Sequence, residues 1–330
     1  MPDSKSQHEY AAAKSSAALF GLPDRAHIEL TGADRTKFLH NFCTNDILGL
    51  KPGAGCEAFL TNVQGKVLAH VFVFADADSL WLESVPGSAA KIIAHLSKYQ
   101  INEDVAFHDR TPDRGTLHVA GPTATEMVSR AAIAVAALQP LNHVWVIIAE
   151  SKVHVRRNDW LGLPGYTLVV ERTAVEELRQ RLLHMGIIAA SDEVFHALRI
   201  EAGTPLYGQD ITDANLAPEA GRNAQAICYT KGCYLGQEPI ARIDALGHVN
   251  QELRSLRVEG TSVPTAGSEV LSTDTPMRII GHVTSAALSY ANESAVALGY
   301  LKRGFLQAGT RVHIRNTDQL SDGTVFESRT

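Results

Sequence analysis

The sequence predicts an α+β protein built from successive modules, and three observations predict it. Strand-like and helix-like periods alternate through the first hundred residues, the alternation restarts near Thr111, and after Gln251 the apolar period falls to two. The chain has 330 residues, 45% hydrophobic and 20% charged, with 25 Gly and 13 Pro. This is globular composition for about two domains, with one or three inside the usual scatter, and it excludes a disordered, collagenous or coiled-coil chain.

Residues 27–30 read as a short strand, followed by a helix over 34–42 with Phe38, Leu39 and Phe42 at helical spacing. Residues 67–74 and 80–83 read as a hairpin around an Asp-rich turn. Ser88 is placed to cap a helix that carries Ile92, Leu96 and Tyr99 on one face. Past Thr111, residues 116–120, 144–148, 153–156 and 166–170 are strand candidates. Thr123 with Glu126, and Thr173 with Glu176, have the spacing of capping boxes, the second opening a helix that Gly186 can close. Two helices among about four strands suggest a ferredoxin-like module over 111–190. Ser191 can cap a further helix that ends at Gly203, and 204–250 then lose periodicity, a long irregular stretch of the kind that usually carries function. Residues 253–258, 269–271, 278–284, 295–300 and 312–314 read as strands of an antiparallel barrel over 251–330. Residues 1–110 form the remaining, N-terminal module, completed by 191–250.

The formal charge of −6 disfavours a globally basic nucleic-acid binder. The N-terminus lacks the apolar core of a signal peptide, and the most apolar stretch, 131–149, is broken by Gln139, Pro140, Asn142 and His143, so no membrane span is expected. Four cysteines (Cys43, Cys56, Cys228, Cys233) are too sparse for a secreted disulfide framework and too irregular for a zinc set or cluster. A cytoplasmic protein without a metal site is the expectation.

The densest run is Tyr229-Thr230-Lys231-Gly232-Cys233-Tyr234-Leu235-Gly236-Gln237-Glu238, with Arg242 following. It groups a thiol, cations, a carboxylate and an amide between glycines that let the backbone approach a ligand. Lys231 would favour the Cys233 thiolate if the two side chains converge. On composition alone the commoner reading is a buried structural cysteine in a turn, with the cations solvated.

K-G-C-Y-x-G-Q-E followed by A-R resembles the signature of the YgfZ family, folate-binding relatives of the glycine-cleavage T-protein, an aminomethyltransferase. Other segments agree in chain order: 28–35 and 38–46 resemble a "G-x-D-R…F-L…T-N-D" pattern, 198–210 a shared "L-R-x-E-x-G…Y-G-x-D" segment, and 162–166 a "G-x-x-G-Y" turn. The resemblance implies a three-module α+β ring around a channel that binds tetrahydrofolate, the first module being the folate-binding one. It implies that Glu201 grips the pterin edge, where a ring N–H and an amino group form a donor pair suited to a carboxylate. Lys231 and Arg242 would meet the glutamyl tail, Trp160 and Tyr166 would line the pterin slot or pack in the core, and Cys233 would be the functional thiol. Glu219 fits a "P-x-E" element or is a loop carboxylate. Cys228 could pair with Cys233 on oxidation if their Cα atoms approach closely.

One departure stands out. The aminomethyltransferases carry two aspartates on the strand after a "G-G" turn, one of them catalytic. Here 64–72 read Q-G-K-V-L-A-H-V-F, so Ala69 and His70 take those places. Ala69 cannot transfer a proton, whereas a histidine can act as a base near neutrality or merely pack. The expected function is tetrahydrofolate binding in support of iron–sulfur cluster assembly or repair in client enzymes, including tRNA-modifying ones, with client proteins or assembly machinery as partners and no direct nucleic-acid contact. The alternatives are a folate-dependent aminomethyl or methyl transferase or demethylase, and a non-catalytic interaction scaffold.

Overall fold

The computed structural model describes residues 4–148, 150–291, 293–316 and 319–327. Helix α1 (Ser4–Ser15) leads into strand β1 (Ala18–Gly21), and β2 (Ala26–Thr31), α2 (Arg35–Phe42), β3 (Gly55–Thr61), β4 (Val67–Ala75), β5 (Leu80–Ser84), α3 (Ala89–Ser97) and β6 (Ala106–Asp109) follow. Strands β2 to β6 make an antiparallel sheet in the order β3-β4-β5-β2-β6. Side chains alternate along each strand. Ile28, Leu30, Ala69, Val71, Val73 and Leu82 face a core closed by α2 and α3, while Phe72, Phe74 and Trp81 join a different cluster on the opposite face. The hairpin of β4 and β5 is as the sequence predicts. Ser88 stands at the N-cap of α3, but its hydroxyl donates to the carbonyl of Val85 instead of to the helix.

The second sheet comprises β7 (Arg114–Ala120), then past α4 (Ala124–Ala131) β8 (His143–Ile148), β9 (Ser151–Arg157) and β10 (Gly165–Glu171), and past α5 (Val175–His184) β11 (Ile188–Ala190). Its order is β11-β1-β7-β10-β9-β8, so β1 from the chain start is built into it, parallel to β11. Helices α4 and α5 cover its outer face. Neither capping box closes. The Thr123 hydroxyl is shared with Ser16 and Glu126 pairs with Arg130, while the N-cap of α5 is Ala174 and Glu176 accepts from Gln180. Partners at these exposed positions outcompete the backbone N–H groups that the spacing offers.

The inner faces of the two sheets meet in a layer that is aromatic and charged. Glu83 of β5 takes ion pairs at 2.7 Å from both Arg25 and Arg156, all three being buried. Such a triad is held together because removing one partner would strand a buried charge. Arg156 also donates to His154 Nδ1 at 3.1 Å, and His154 Nε2 lies 2.7 Å from His143 Nδ1. An arginine only donates, so His154 carries its proton on Nε2 and donates a hydrogen bond to His143 Nδ1, and His143 Nε2–H donates to the Ala75 carbonyl at 3.0 Å.

Helix α6 (Asp192–Ala202) packs on this layer and ends at Gly203, in the left-handed region at φ 78°. The connector beyond it holds two helices, α7 (Asn223–Ala226) and α8 (Gln237–Leu246), where the sequence shows no period. Last comes a closed barrel of β12 (Gln251–Val258), β13 (Glu269–Ser272), β14 (Ile279–Ser289), β15 (Ser294–Lys302), β16 (Arg311–Asn316) and β17 (Gln319–Phe326), in the order β12-β15-β14-β13-β16-β17. The register of β14 shifts between Val283 and Ser285, and this bulge aims the successive hydroxyls of Thr284 and Ser285 at Asp210, each at 2.6 Å. Asp210 also holds buried Arg199 at 2.8 Å, so the "L-R…Y-G-x-D" residues tie α6, the connector and the barrel together. Among the described residues, no helix is long and apolar enough to cross a membrane.

Candidate functional site

The alternation along β4 decides what each substituted position can do. Ala69 faces the helix-covered core and is 1% exposed, whereas His70, its neighbour, faces the inter-sheet side. On β3, Glu57 pairs across the ladder with Phe72 and so lies diagonal to His70, within side-chain reach. His70 Nε2 is 2.8 Å from Glu57 Oε1. Arg222, from the connector, grips the same carboxylate with Nε at 2.9 Å and a terminal nitrogen at 2.6 Å. Burial alone would raise the Glu57 pKa, but the charge and hydrogen bonds of Arg222, then of His70, overcome it and hold the carboxyl down to about 2. An ionised carboxylate accepts only, so the His70 proton stands on Nε2. Among the described residues, Nδ1 has no hydrogen-bond partner.

A cavity of about 360 Å³ opens beside this trio, with Glu57, Phe72, Asn158, Trp160, Thr204 and Arg222 in its wall. Both sheets and the connector contribute, and the barrel supplies none of the lining. Phe72, Trp160 and Thr204 also wall a second hollow of about 20 Å³, which adds His70, Arg25 and Tyr207. Trp160 is fixed between His118, stacked at 5.5 Å, and the Arg25 guanidinium, 4.3 Å from its ring centre. The Thr204 hydroxyl donates to the Trp160 carbonyl at 2.6 Å. Two buried donors of the wall, Asn158 Nδ2 and Trp160 Nε1, have no acceptor among the described residues. Larger clefts of about 680 and 430 Å³ flank the barrel, lined by Arg254 and Arg199 among others.

The signature run is built as an anchor. Lys231 donates to the carbonyls of His40, Cys43 and Asn45 at 2.6, 2.8 and 2.8 Å, capping the C-terminal end of α2. An ammonium has three N–H bonds, so none is left for a glutamyl tail, and none reaches Cys233. Tyr234 is buried with its ring 4.9 Å from the Lys231 ammonium. Gly236 caps α8 at φ 82°, and a Cβ there would stand 2.3 Å from the Asn62 carbonyl oxygen. Gly232 has neither constraint. Gln237 and Glu238 begin the first turn of α8, and Arg242 is exposed along it. Cys233 is an exposed free thiol, and Cys228 is a free thiol beside the Thr230 hydroxyl.

Glu201 is engaged elsewhere: the Tyr10 hydroxyl donates to it at 2.8 Å and the Lys14 ammonium stands 3.1 Å away, so it ties α6 to α1. Neither Glu201 nor Cys233 lines the cavity. Tyr166 is fully buried in the outer core of the second sheet and donates to Thr125, so of the two aromatic residues only Trp160 reaches the slot. Glu219 is buried and accepts from the Leu216 N–H at 3.1 Å. Glu57, Arg222 and Asn158 carry no sequence signal. Glu57 and Arg222 lie 165 residues apart, and only the folded chain joins them.

Residues 3–225 match the GCVT N-terminal domain, and 251–329 match the glycine cleavage T-protein C-terminal barrel domain. The chain belongs to the glycine cleavage T-protein family. An aminomethyltransferase of Nostoc sp. is 25% identical over 93% of this chain and 82% of its own length, and one of Chloroherpeton thalassium is 24% identical over 97% and 88%. The crystal structure of the glycine cleavage system aminomethyltransferase T from Bartonella henselae superposes with a TM-score of 0.88 at 20% identity, covering 97% of this chain and 88% of that one. The T-protein fold expected from the sequence is therefore the fold of this chain.

Proposed function

We propose that this T-protein-family chain binds a reduced pterin of the tetrahydrofolate class in the 360 Å³ cavity and serves iron–sulfur cluster assembly or repair in client enzymes, as the YgfZ branch of the family would. The cavity itself, walled by Phe72, Asn158, Trp160 and the Glu57–Arg222 pair between the two sheets, is the observation that carries the binding half. The cavity volume falls in the usual range for small-molecule sites, about 300–1,000 Å³. The Glu57 carboxylate, already holding Arg222 and His70, keeps one lone pair for an N–H of the pterin edge, and Phe72 adds an aromatic wall. When bound, tetrahydrofolate supplies nitrogen atoms that carry a one-carbon unit. Glu57 and Phe72 orient it, and Arg222 keeps the carboxylate ionised.

The iron–sulfur half rests on the K-G-C-Y-x-G-Q-E run and on an outward-facing Cys233, reachable by a partner protein. Titrating the purified protein with tetrahydrofolate should give saturable binding, weakened about tenfold in Glu57→Gln, the equivalent of one lost charged hydrogen bond. Absence of binding would remove the reading. Cells lacking the protein should lose iron–sulfur enzyme activity that Cys233→Ser does not restore. A second reading, folate-dependent aminomethyl transfer, is favoured by the ionised Glu57 at the cavity, since a carboxylate there can hold a cationic nitrogen. Transfer of an aminomethyl group to tetrahydrofolate by the purified protein would support it over the first.

A further inference from the structure

The cleft of about 430 Å³ beside the barrel lies between α6, β14 and Gln209 of the connector, and it shares no residue with the 360 Å³ cavity. Its volume is within the usual range for small-molecule sites. One buried guanidinium sets its polar groups. Arg199 is 1% exposed, and four of its five N–H bonds are engaged. Two go to Asp210 and the Thr204 carbonyl, at 2.8 and 3.2 Å. One goes to His196 Nδ1 at 3.0 Å and one to Gln209 Oε1 at 3.1 Å. An arginine only donates, so each of these two side chains accepts on its inner side and keeps its donors for the outer one. His196 thus carries its proton on Nε2, and burial, then the Arg199 charge, keeps its pKa below the ordinary value, so the ring is neutral at pH 7. Both residues line the cleft, and neither His196 Nε2–H nor the Gln209 amide N–H groups meet an acceptor among the described residues. The opposite charge stands one turn back along the same face of α6. There Glu193 accepts from the Tyr290 hydroxyl at 2.6 Å and makes no ion pair among the described residues. Because Asp210 balances Arg199, the unbalanced charge of the lining is the Glu193 carboxylate. Ala286, Ala287 and Leu288 of β14 add an apolar wall.

We propose that this cleft binds an α-amino carbonyl unit with an apolar side chain, the chemistry shared by an amino-acid amide and the N-terminus of a peptide. The ammonium meets Glu193, the carbonyl oxygen accepts from His196 and Gln209, and the side chain lies on Ala286, Ala287 and Leu288. Residues three apart on a helix have Cβ atoms about 5–6 Å apart, a span that an ammonium and a carbonyl on adjacent carbons can bridge. A lone anion does not suit the cleft, since its lining already carries an unbalanced carboxylate. The site is separate from the pterin cavity and goes beyond the function proposed for it.

Calorimetric titration of the full chain at pH 7 tests this. Leucinamide should bind saturably, and N-acetyl-leucinamide, which lacks the ammonium, at least about tenfold more weakly, the scale of one charged hydrogen bond. In Glu193→Gln the two ligands should bind alike, and because Glu193 is exposed the urea midpoint of that variant should match the parent. His196→Phe should weaken leucinamide about threefold or more and leave 3-methylbutylamine, which has no carbonyl, unchanged. The tripeptide Leu-Ala-Ala separates the sources. Tighter binding than leucinamide supports a polypeptide N-terminus, and equal or weaker binding supports a small amide. No saturable binding of leucinamide or the tripeptide overturns the proposal. So does N-acetyl-leucinamide binding as tightly as leucinamide, or a tenfold preference that survives in Glu193→Gln. Failure here leaves the pterin reading standing, because the two sites have no residue in common.

Discussion

Lowering the pH from about 7.5 to about 5.5 should cost the fold about 4 kcal/mol, because its inter-sheet layer is built on uncharged histidines. His27, His118 and His154 are each 0% exposed. Burial pushes all three pKa values down, that of His118 to about 3 and those of His27 and His154 well below the ordinary value, helped by the charges of Arg25 and Arg156. The unfolded chain binds protons on them below about pH 6.5 while the native state does not, so stability rises with pH across that window and is complete above it. One unit below the unfolded pKa each such group costs about 1.4 kcal/mol, and three cost about 4, a large share of the 5–15 kcal/mol typical of native proteins. Glu57 acts in a separate window: its lowered pKa adds stability that is lost only as pH falls below about 4.5. Urea denaturation followed by tryptophan fluorescence should show a midpoint lower by about 1.4 M at the acid pH, for a slope near 3 kcal/mol/M. His118→Gln should remove about a third of the pH dependence. Equal midpoints at the two pH values would refute the claim that these histidines are buried uncharged.

Lys231→Met should destabilise the chain by about 2–3 kcal/mol in the same assay, because three carbonyls lose a charged donor. Gly236→Ala should cost about 2 kcal/mol or more, from a left-handed backbone and a clash with the Asn62 carbonyl, whereas Gly232→Ala should stay within about 0.5 kcal/mol. Cys233→Ser should leave the urea midpoint unchanged, since the thiol is exposed, while Cys233 and not Cys43 should react with a thiol reagent in the native state; the buried Cys43 thiol is pushed up to about 11 by desolvation.

Periodicity revealed elements wherever one face was buried. The strands over 116–120, 166–170 and 295–300 and the helix closing at Gly203 stand where the spacing puts them, because each turns a face to an apolar core, the three strands burying their other face as well. Helix α8 shows no apolar period for a physical reason. Only Ile240 of its ten residues is buried, and Pro239 occupies its first turn, where a missing N–H costs nothing. The capping boxes do not form, because a spacing shows that a bond can form and not which partner wins. At the site, the departure at Ala69 and His70 was visible in sequence, but which of the two matters follows from strand alternation. Their partners were hidden: Glu57 comes from the neighbouring strand, Arg222 from the connector and Asn158 from the other sheet. The signature run drew attention by its composition, yet its lysine and second glycine serve to dock the connector on the first module.

A crystal structure of the protein soaked with tetrahydrofolate is the most direct trial of the account. The pterin should lie in the 360 Å³ cavity against Phe72, with an N–H of its edge on Glu57. A pterin bound in the clefts beside the barrel, with this cavity left to solvent, would contradict it.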